Sequence, residues 1–258
     1  QHIVSKGGSI YDQPALIRGV QTGTVCVMQT RLQAFYILHS RPFKETSLLL
    51  DCLSEADGRV SLVAKGAKRP KSAWRGLLQP FTPLMGTWMG KRDLKTLTDV
   101  EASGSRIDLK SQAMFIGFYV NELLTRLTHH AEPLPIVFSL YDTLFQNPIT
   151  EAALRRFEFG LLKALGYGLS LTHTTSGEAI EKDQSYQLDV DAGFTAVQET
   201  DNQSHFSGDI LHAIANNTLE DPNTLKTAKQ ITRLVLKKHL GDKPLKSREM
   251  MRAKASMR

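Results

Sequence analysis

The sequence has 258 residues, 41% of them hydrophobic, so it is long enough to form one large domain or two small ones with buried cores. It has no run of about 18 apolar residues, and its amino terminus lacks the apolar segment of a secretory signal. We therefore expect neither a membrane span nor secretion. The two cysteines, Cys26 and Cys52, are far apart and cannot form a zinc site by themselves, which favours a reducing cytoplasm.

The net charge of +6 is unevenly distributed along the chain. Residues 1–57 are balanced, residues 58–92 carry +8 without a single acid, residues 93–221 carry −11, and residues 222–258 carry +9. Two basic segments thus flank an acidic middle. A polyanion would be attracted to the two basic segments.

The first half of the chain predicts a loose extension followed by a small β-barrel. Residues 1–29 show no sustained period and contain glycine and proline. From residue 30 to 105 the pattern favours five strands, with a short helix at Trp74–Leu78 between the third and the fourth. The strands are LQAFYILHS, SLLLDCLS, RVSLVAK, PLMGTWM and LKTLTDVEA. This order is typical of an OB-fold barrel, whose middle strands and neighbouring loops form the binding face.

The second half, residues 106–258, has a helical period. The candidate helices are SQAMFIGFYVNELLTRLTHH, LPIVFSLYDTLFQ, EAALRRFEFGLLKAL, GDILHAIAN and NTLKTAKQITRLVLKKHL. A β-hairpin is predicted through YQLDV and GFTAV, and the basic tail after Gly241 is expected to end in disorder. On the first helix, the spacing places Met114, Phe118, Leu123 and Leu127 near one face. The fold class is therefore α+β, an amino-terminal OB-fold barrel followed by a mainly helical domain.

The basic segment 58–92 also contains both tryptophans of the protein. Cations interleaved with aromatic rings suit single-stranded nucleic acid, which offers phosphates and flat bases together. We expect Trp74 to stack on a base, whereas Trp88, in the middle of a strand, fits the core equally well. A solvated loop beside two core tryptophans is the alternative, which the absence of acids disfavours. The candidate phosphate ligands are Arg59, Lys65, Lys68, Arg69, Lys71, Arg75, Lys91 and Arg92.

Motifs for catalysis are missing from the sequence. It has no GxxxxGK[ST], GxSxG or HExxH pattern, so nucleotide hydrolysis, acyl transfer and metalloprotease chemistry lack their parts. The acids of residues 93–221 are scattered at no metal-ligand spacing, which argues against a nuclease. The pattern indicates a binding protein rather than an enzyme.

Seven stretches, in order over about residues 30–250, carry a family resemblance. They are LHSRPFKETSLLLD, GRVSLVAKGAKRPKS, LQPFTPL, LKTL, YVNELLTRL, ALRRFEFGLLKALGYG and GDKPLKSRE. The chain resembles the RecO family of bacterial recombination mediators, which anneal DNA and help to load RecA. The resemblance implies a cytoplasmic, nucleoid-associated protein. It also implies partners: single- and double-stranded DNA, the RecR protein, the acidic tail of single-stranded-DNA-binding protein and, indirectly, RecA.

The chain departs from many members of that family in one segment. Those members carry a four-cysteine zinc site after the GYG sequence, whereas LTHTTSGEAIEKDQSYQLDVDAGFTAV has no cysteine. A lone histidine such as His173 is usually a surface residue. We therefore expect no metal and no cofactor.

The helix ALRRFEFGLLKALGYG has a tandem arginine in an otherwise acidic region. Arg155, Arg156 and Phe159 could bind an acidic tail that ends in an apolar residue, a ligand that the family resemblance supplies. The alternative is an internal bridge from Arg155 to Glu151 or Glu158. Arg156 is the better candidate for the partner, and the basic carboxy-terminal helix is the next place to look.

Two other functions share these features. An RNA-binding OB-fold protein would present the same basic face, and competition of RNA against single-stranded DNA separates the two. A scaffold that binds acidic proteins would bind nucleic acid only weakly at physiological salt.

Overall fold

The computed structural model describes residues 31–110, 112–197 and 205–256, so the predicted extension and Cys26 lie outside the described residues. The first five strands close into a barrel in the order β1-β2-β3-β5-β4, with β3 and β5 parallel and β4 paired to β1. The strands are β1 Gln33–Phe43, β2 Ser47–Ser54, β3 Gly58–Ala64, β4 Leu84–Met89 and β5 Leu94–Ala102. This topology confirms the predicted OB-fold barrel.

Part of strands β1 and β2 is buried on both faces, by the barrel core on one side and by a second core on the other. Phe35 and Ile37 of β1 point into the barrel core. Their neighbours Tyr36 and Leu38 point outward into a second core, together with Leu53 of β2. The outer surface of these strands therefore supports the helical part of the chain.

The helix predicted at Trp74–Leu78 is wrong. That region is a series of turns, closed by backbone hydrogen bonds three residues apart, such as Arg75 N–H to the Ser72 carbonyl and Leu77 N–H to the Trp74 carbonyl. Gly76 has a φ of +83°, in the left-handed region that interrupts a helix.

The second half of the chain contains six helices and a small sheet among the described residues. The helices are α1 Gln112–Leu127, α2 Pro135–Gln146, α3 Glu151–Ala164, α4 Gly208–Ala215, α5 Pro222–Leu240 and α6 Lys246–Ser256. The sheet consists of β6 Ser185–Asp189, β7 Gly193–Val197 and β8 Phe206–Ser207, in the order β7-β6-β8. The predicted hairpin is confirmed, and β8 extends it. No helix of the described ranges is long and apolar enough to cross a membrane.

The expected disorder of the basic tail is wrong as far as Ser256, because α6 continues the fold. The Glu122 carboxylate on α1 accepts hydrogen bonds from the backbone N–H groups of Lys246 and Ser247 and from the Ser247 hydroxyl, at 2.7–2.9 Å. These bonds satisfy free donors at the start of α6. Leu245 and Ser247 are buried beside them.

The predicted buried face of α1 is half right. Leu123 and Leu127 are buried, but Met114 and Phe118 are 42% and 37% exposed. The face that packs inward contains Tyr119, Val120, Leu123, Leu124 and Leu127. At 3.6 residues per turn, Met114 and Phe118 lie on the side of α1 opposite Leu123 and Leu127, so the four side chains do not share one face.

Arg59 joins the barrel to the helical part. Its guanidinium donates two hydrogen bonds to Asp51 of β2, from Nε at 2.9 Å and from Nη2 at 3.0 Å. Its Nη1 donates to the carbonyls of Thr125 and Thr128, at 2.6 and 2.9 Å, where α1 ends. A cation at a helix carboxyl end is favourable because the last carbonyls there lack partners within the helix.

Residues 168–182, the segment without cysteine that follows the GYG sequence, form a turn closed by hydroxyl and backbone bonds. The N–H groups of Thr174 and Ile180 donate to the carbonyls of Glu178 and Thr172, at 2.8 and 2.9 Å. The Thr174 hydroxyl oxygen accepts from the Glu178 N–H at 3.2 Å. Ile180 is buried and anchors the turn to the core under α4 and α5.

We expect Arg59→Met to lower the free energy of unfolding by about 3 kcal/mol, because the change leaves Asp51 and the end of α1 unpaired in a partly buried site. The Arg59 and Asp51 side chains are only 12% and 19% exposed. Urea unfolding measures the loss. The surface control Lys182→Met should stay within about 0.5 kcal/mol of wild type. A loss under about 1 kcal/mol in Arg59→Met would contradict this role for the guanidinium.

We expect the purified protein to contain no stoichiometric zinc, since hydroxyl groups rather than thiolates close the turn at residues 168–182. Elemental analysis measures the metal content, and a chelator should leave the melting temperature unchanged. A cysteine-containing zinc protein purified in parallel controls for loss of metal. One zinc per chain would overturn the expectation.

Candidate nucleic-acid interface

The loop that follows β3 presents four cations to solvent. Lys65, Lys68, Arg69 and Lys71 are exposed, and none of them has an ion-pair partner among the described residues. Arg75, also exposed, makes only a long hydrogen bond of 3.5 Å to the Pro70 carbonyl. The charge of this loop is therefore not neutralised within the described chain.

Lys91 and Arg92 lie apart from that loop, at the tip of the β4–β5 hairpin. Because β3 and β5 are parallel, with Ser61 beside Leu94, this tip lies near the start of β3, whereas the loop follows its end. A strand of seven residues separates the two ends by about 20 Å. The predicted phosphate ligands thus form two groups, at opposite ends of the barrel.

The two tryptophans have different surroundings. Trp88 is buried in the barrel core, where its ring meets the edge of Phe35 at a centroid distance of 5.5 Å. Its indole N–H donates to Asp57 at 2.9 Å. Burial alone would raise the pKa of Asp57, but bonds from Trp88 and Lys95 hold that pKa below its ordinary value. Of the two roles left open for Trp88, the structure supports the core. Trp74 is half-buried against the same core.

Arg59 does not join either group of cations. Its donors are used by Asp51 and by the end of α1, so its charge is already balanced. The charge pattern of residues 58–92 groups Arg59 with Lys65 and the other candidate phosphate ligands. The hydrogen-bond partners of Arg59 lie on β2 and at the end of α1.

The tandem arginines of α3 point into different surroundings. Arg155 is buried and forms the predicted internal bridge to Glu158, at 2.6 Å, rather than to Glu151. Arg156 is exposed and donates to the Asn217 side chain at 2.8 Å. Phe159 is half-buried against the core that α4 and α5 share. These three predicted residues therefore do not form one surface.

Glu158 is the centre of a buried polar cluster. Its carboxylate accepts from the Tyr119 hydroxyl at 2.7 Å, from the Thr232 hydroxyl at 2.6 Å, and from Arg155. Burial, together with the charge of Glu158, raises the pKa of Tyr119 well above its ordinary value. The Nε of Arg155 is buried yet has no hydrogen-bond partner in the described part of the chain.

A cavity of about 320 Å³ opens beside this cluster. Apolar side chains from α1, α3, α6 and the segment between α2 and α3 line it together with cations, and the acids Glu151 and Glu158 line it as well. The apolar residues are Ala113, Ile116, Ile149, Leu154 and Met251, and the cations are Arg155, Lys229, Arg233 and Arg248. Sequence reasoning named Arg155 and pointed to α5, but missed Lys229 and Arg248. The spacing of Lys229 and Arg233, one turn apart on α5, is the signal that could have identified Lys229.

No three His, Cys, Asp or Glu side chains of the described residues are grouped so as to hold a metal ion. The cations and rings described above can supply charged hydrogen bonds and apolar burial.

Comparison with known proteins identifies the family. The family model for the recombination protein O N-terminal region matches residues 28–106, and that for its C-terminal region matches residues 110–249. The DNA repair protein RecO of Pectobacterium atrosepticum is 45% identical over 226 residues, covering 85% of this chain and 92% of the relative. The RecO protein of Haemophilus influenzae is 43% identical over 228 residues, covering 86% and 96%. That of Aliivibrio fischeri is 41% identical over 228 residues, also covering 86% and 96%. This chain, with its OB-fold barrel and helical second half, belongs to the RecO family of DNA repair proteins.

Proposed function

We propose that this protein is a non-enzymatic recombination mediator that binds DNA, pairs complementary single strands and assists RecA loading on DNA covered by single-stranded-DNA-binding protein. The observation that carries the proposal is the loop after β3, whose cations Lys65, Lys68, Arg69 and Lys71 are exposed and without ion pairs among the described residues. Phosphates are the ligands that such a surface attracts. Family membership supports a role in DNA repair.

The physics of strand pairing fits a basic surface. Two single strands repel each other because every phosphate is charged, and cations that neutralise phosphates lower this repulsion. Bases that the protein holds unstacked are ready to pair with a second strand. No covalent chemistry is needed, so binding energy alone accounts for the activity.

The same proposal includes protein partners and a location. We propose that the protein works in the cytoplasm at the nucleoid, bound to RecR and, through that assembly, delivering DNA to RecA. These partners come from the family resemblance.

We propose that the acidic tail of single-stranded-DNA-binding protein binds the cavity between α1, α3 and α5. A tail that carries carboxylates and ends in an apolar residue needs a cationic rim and an apolar floor. The cations Arg233 and Arg248 and the apolar residues Ile116 and Leu154 all line this cavity, so both kinds of group are present. The unpaired Nε of Arg155 supports this choice, because a buried donor without an acceptor is costly. Arg156 is a weaker candidate, since its Nε already donates to Asn217.

We expect replacement of Lys68, Arg69 and Lys71 with alanine to weaken binding to single-stranded DNA. If all three contact phosphates, the slope of log affinity against log salt falls by roughly 2, at about 0.7 per contact. Fluorescence anisotropy across a salt series measures the slope. A variant with Arg106, Lys163 and Lys182 changed to alanine controls for the loss of three exposed charges elsewhere.

An unchanged affinity and slope in the loop variant would mean that the loop is only a solvated surface. Competition by RNA tests the alternative of an RNA-binding protein. If RNA displaced single-stranded DNA at equal or lower concentration, the DNA assignment would be wrong.

We expect Arg233→Ala to weaken binding of the acidic tail peptide by about 1–3 kcal/mol, the range for a charged hydrogen bond. Arg156→Ala serves as the matched control, because it removes the same charge from a neighbouring surface outside the cavity. Calorimetry with the acidic tail peptide measures both. A loss in Arg156→Ala alone would move the site to the face of α3 that carries Arg156. DNA binding should be the same in both variants.

A further inference from the structure

The outward face of β1, β2 and β3 continues beyond the part that the helices cover. After the bulge between Ile37 and His39, the cross-strand partners on this face are His39 with Asp51, Arg41 with Leu49, and Phe43 with Ser47. Asp51 and Leu49 are in turn paired with Ser61 and Val63 of β3.

A cavity of about 300 Å³ lies on this face, at the junction of the barrel with the end of α1. His39 and Arg41 of β1 line it, with Ser61 of β3, and His130 contributes from the segment after α1. Both halves of the described chain therefore contribute polar side chains to one cavity.

The electrostatics of this cavity favour an anion. Among the described residues, Asp51 is the only acid that lines it, and both oxygens of Asp51 already accept hydrogen bonds from Arg59. Arg41 is exposed and has no ion-pair partner among the described residues. The charge of Arg41 is thus not neutralised by an acid of the described residues. Arg41 lines the cavity together with the imidazoles of His39 and His130 and the Ser61 hydroxyl.

An aromatic ring lies beside this cation. Phe43 is half-buried on the same face of β1, two residues or about 7 Å from Arg41. The Lys44 ammonium lies over one face of this ring, 5.6 Å from its centroid, so a base would stack on the opposite face, with a second cation close by.

The same end of the face adjoins the basic loop. Ala64, the last residue of β3, is paired with Leu48, and Lys65 follows it. The Lys68 N–H donates to the carbonyl of Thr46, in the β1–β2 turn, at 2.9 Å. The loop and the exposed end of β1 therefore form one continuous basic surface.

We infer that this face is a nucleotide seat for single-stranded DNA, in which Arg41 binds a phosphate at the junction cavity and Phe43 stacks on a base. The inference rests on the proposed function and assigns to it residues that lie outside the basic segment 58–92. Trp74 packs against the barrel core and Trp88 lies within it, whereas Phe43 belongs to none of the hydrophobic cores of the described residues, so we assign the stacking role to Phe43.

The test compares Arg41→Gln and Phe43→Leu in the full chain, with Lys182→Gln as the surface control, for binding to oligothymidylate. We expect Arg41→Gln to lower the salt slope by about 0.7, as for one phosphate contact. We expect Phe43→Leu to weaken binding about tenfold and Phe43→Tyr, which keeps the ring, to bind as wild type. An oligonucleotide without bases retains the phosphates, so on it Phe43→Leu should match wild type while Arg41→Gln remains weaker.

Wild-type binding by both Arg41→Gln and Phe43→Leu, in a protein whose loop variant is weakened, would overturn the seat and leave the proposed function intact. Failure of the wild-type protein to bind oligothymidylate would overturn both. Equal loss by Phe43→Leu and Phe43→Tyr would show that the ring packs within the protein, and would also overturn the stacking role.

Discussion

The guanidinium of Arg59 is the interaction on which the arrangement of the two halves depends. It binds Asp51 on the barrel and two carbonyls at the end of α1 at the same time. Arg126 of α1 makes the same kind of contact, since it donates to the Leu240 carbonyl at the end of α5. Two arginines thus satisfy helix carboxyl ends that would otherwise lack donors. Arg59 therefore links the barrel to α1, and Arg126 links α1 to α5.

The contact with the helical half covers one part of the outer face of the barrel and leaves the other part exposed. At one end of β1–β3, the face is packed on the helices, and Gly58 shows how closely: a Cβ there would lie 1.7 Å from the Glu132 carbonyl oxygen. At the other end, the same strands carry Arg41 and Phe43 to the surface. An OB-fold normally offers this whole face to a ligand, so the helical half takes part of the binding surface and defines one end of what remains.

The sequence predicts what depends on near neighbours and misses what depends on distant ones. Alternation sets the five strands, and the Asp221-Pro222 pair marks the start of α5, where the Asp221 side chain accepts from the Thr224 N–H at 2.8 Å. The role of Arg59 depends on carbonyls 66 and 69 residues away. The helix α6 depends on Glu122, more than 120 residues before it. A charge count registers such residues as free cations or acids, because it carries no information about their partners.

The two candidate sites for anions differ in physical kind. Around the helical cavity, Arg155 and Lys229 are already paired, with Glu158 and Glu151. An incoming carboxylate there must compete with acids of the protein, so affinity depends on shape and on apolar burial as well as charge. In the loop after β3, the cations are solvated and unpaired, so binding there depends on counterion release and weakens steeply with salt. Under the proposed function, one chain would therefore combine a site for a specific acidic peptide with a surface for any strand of DNA, and ionic strength would act mainly on the second.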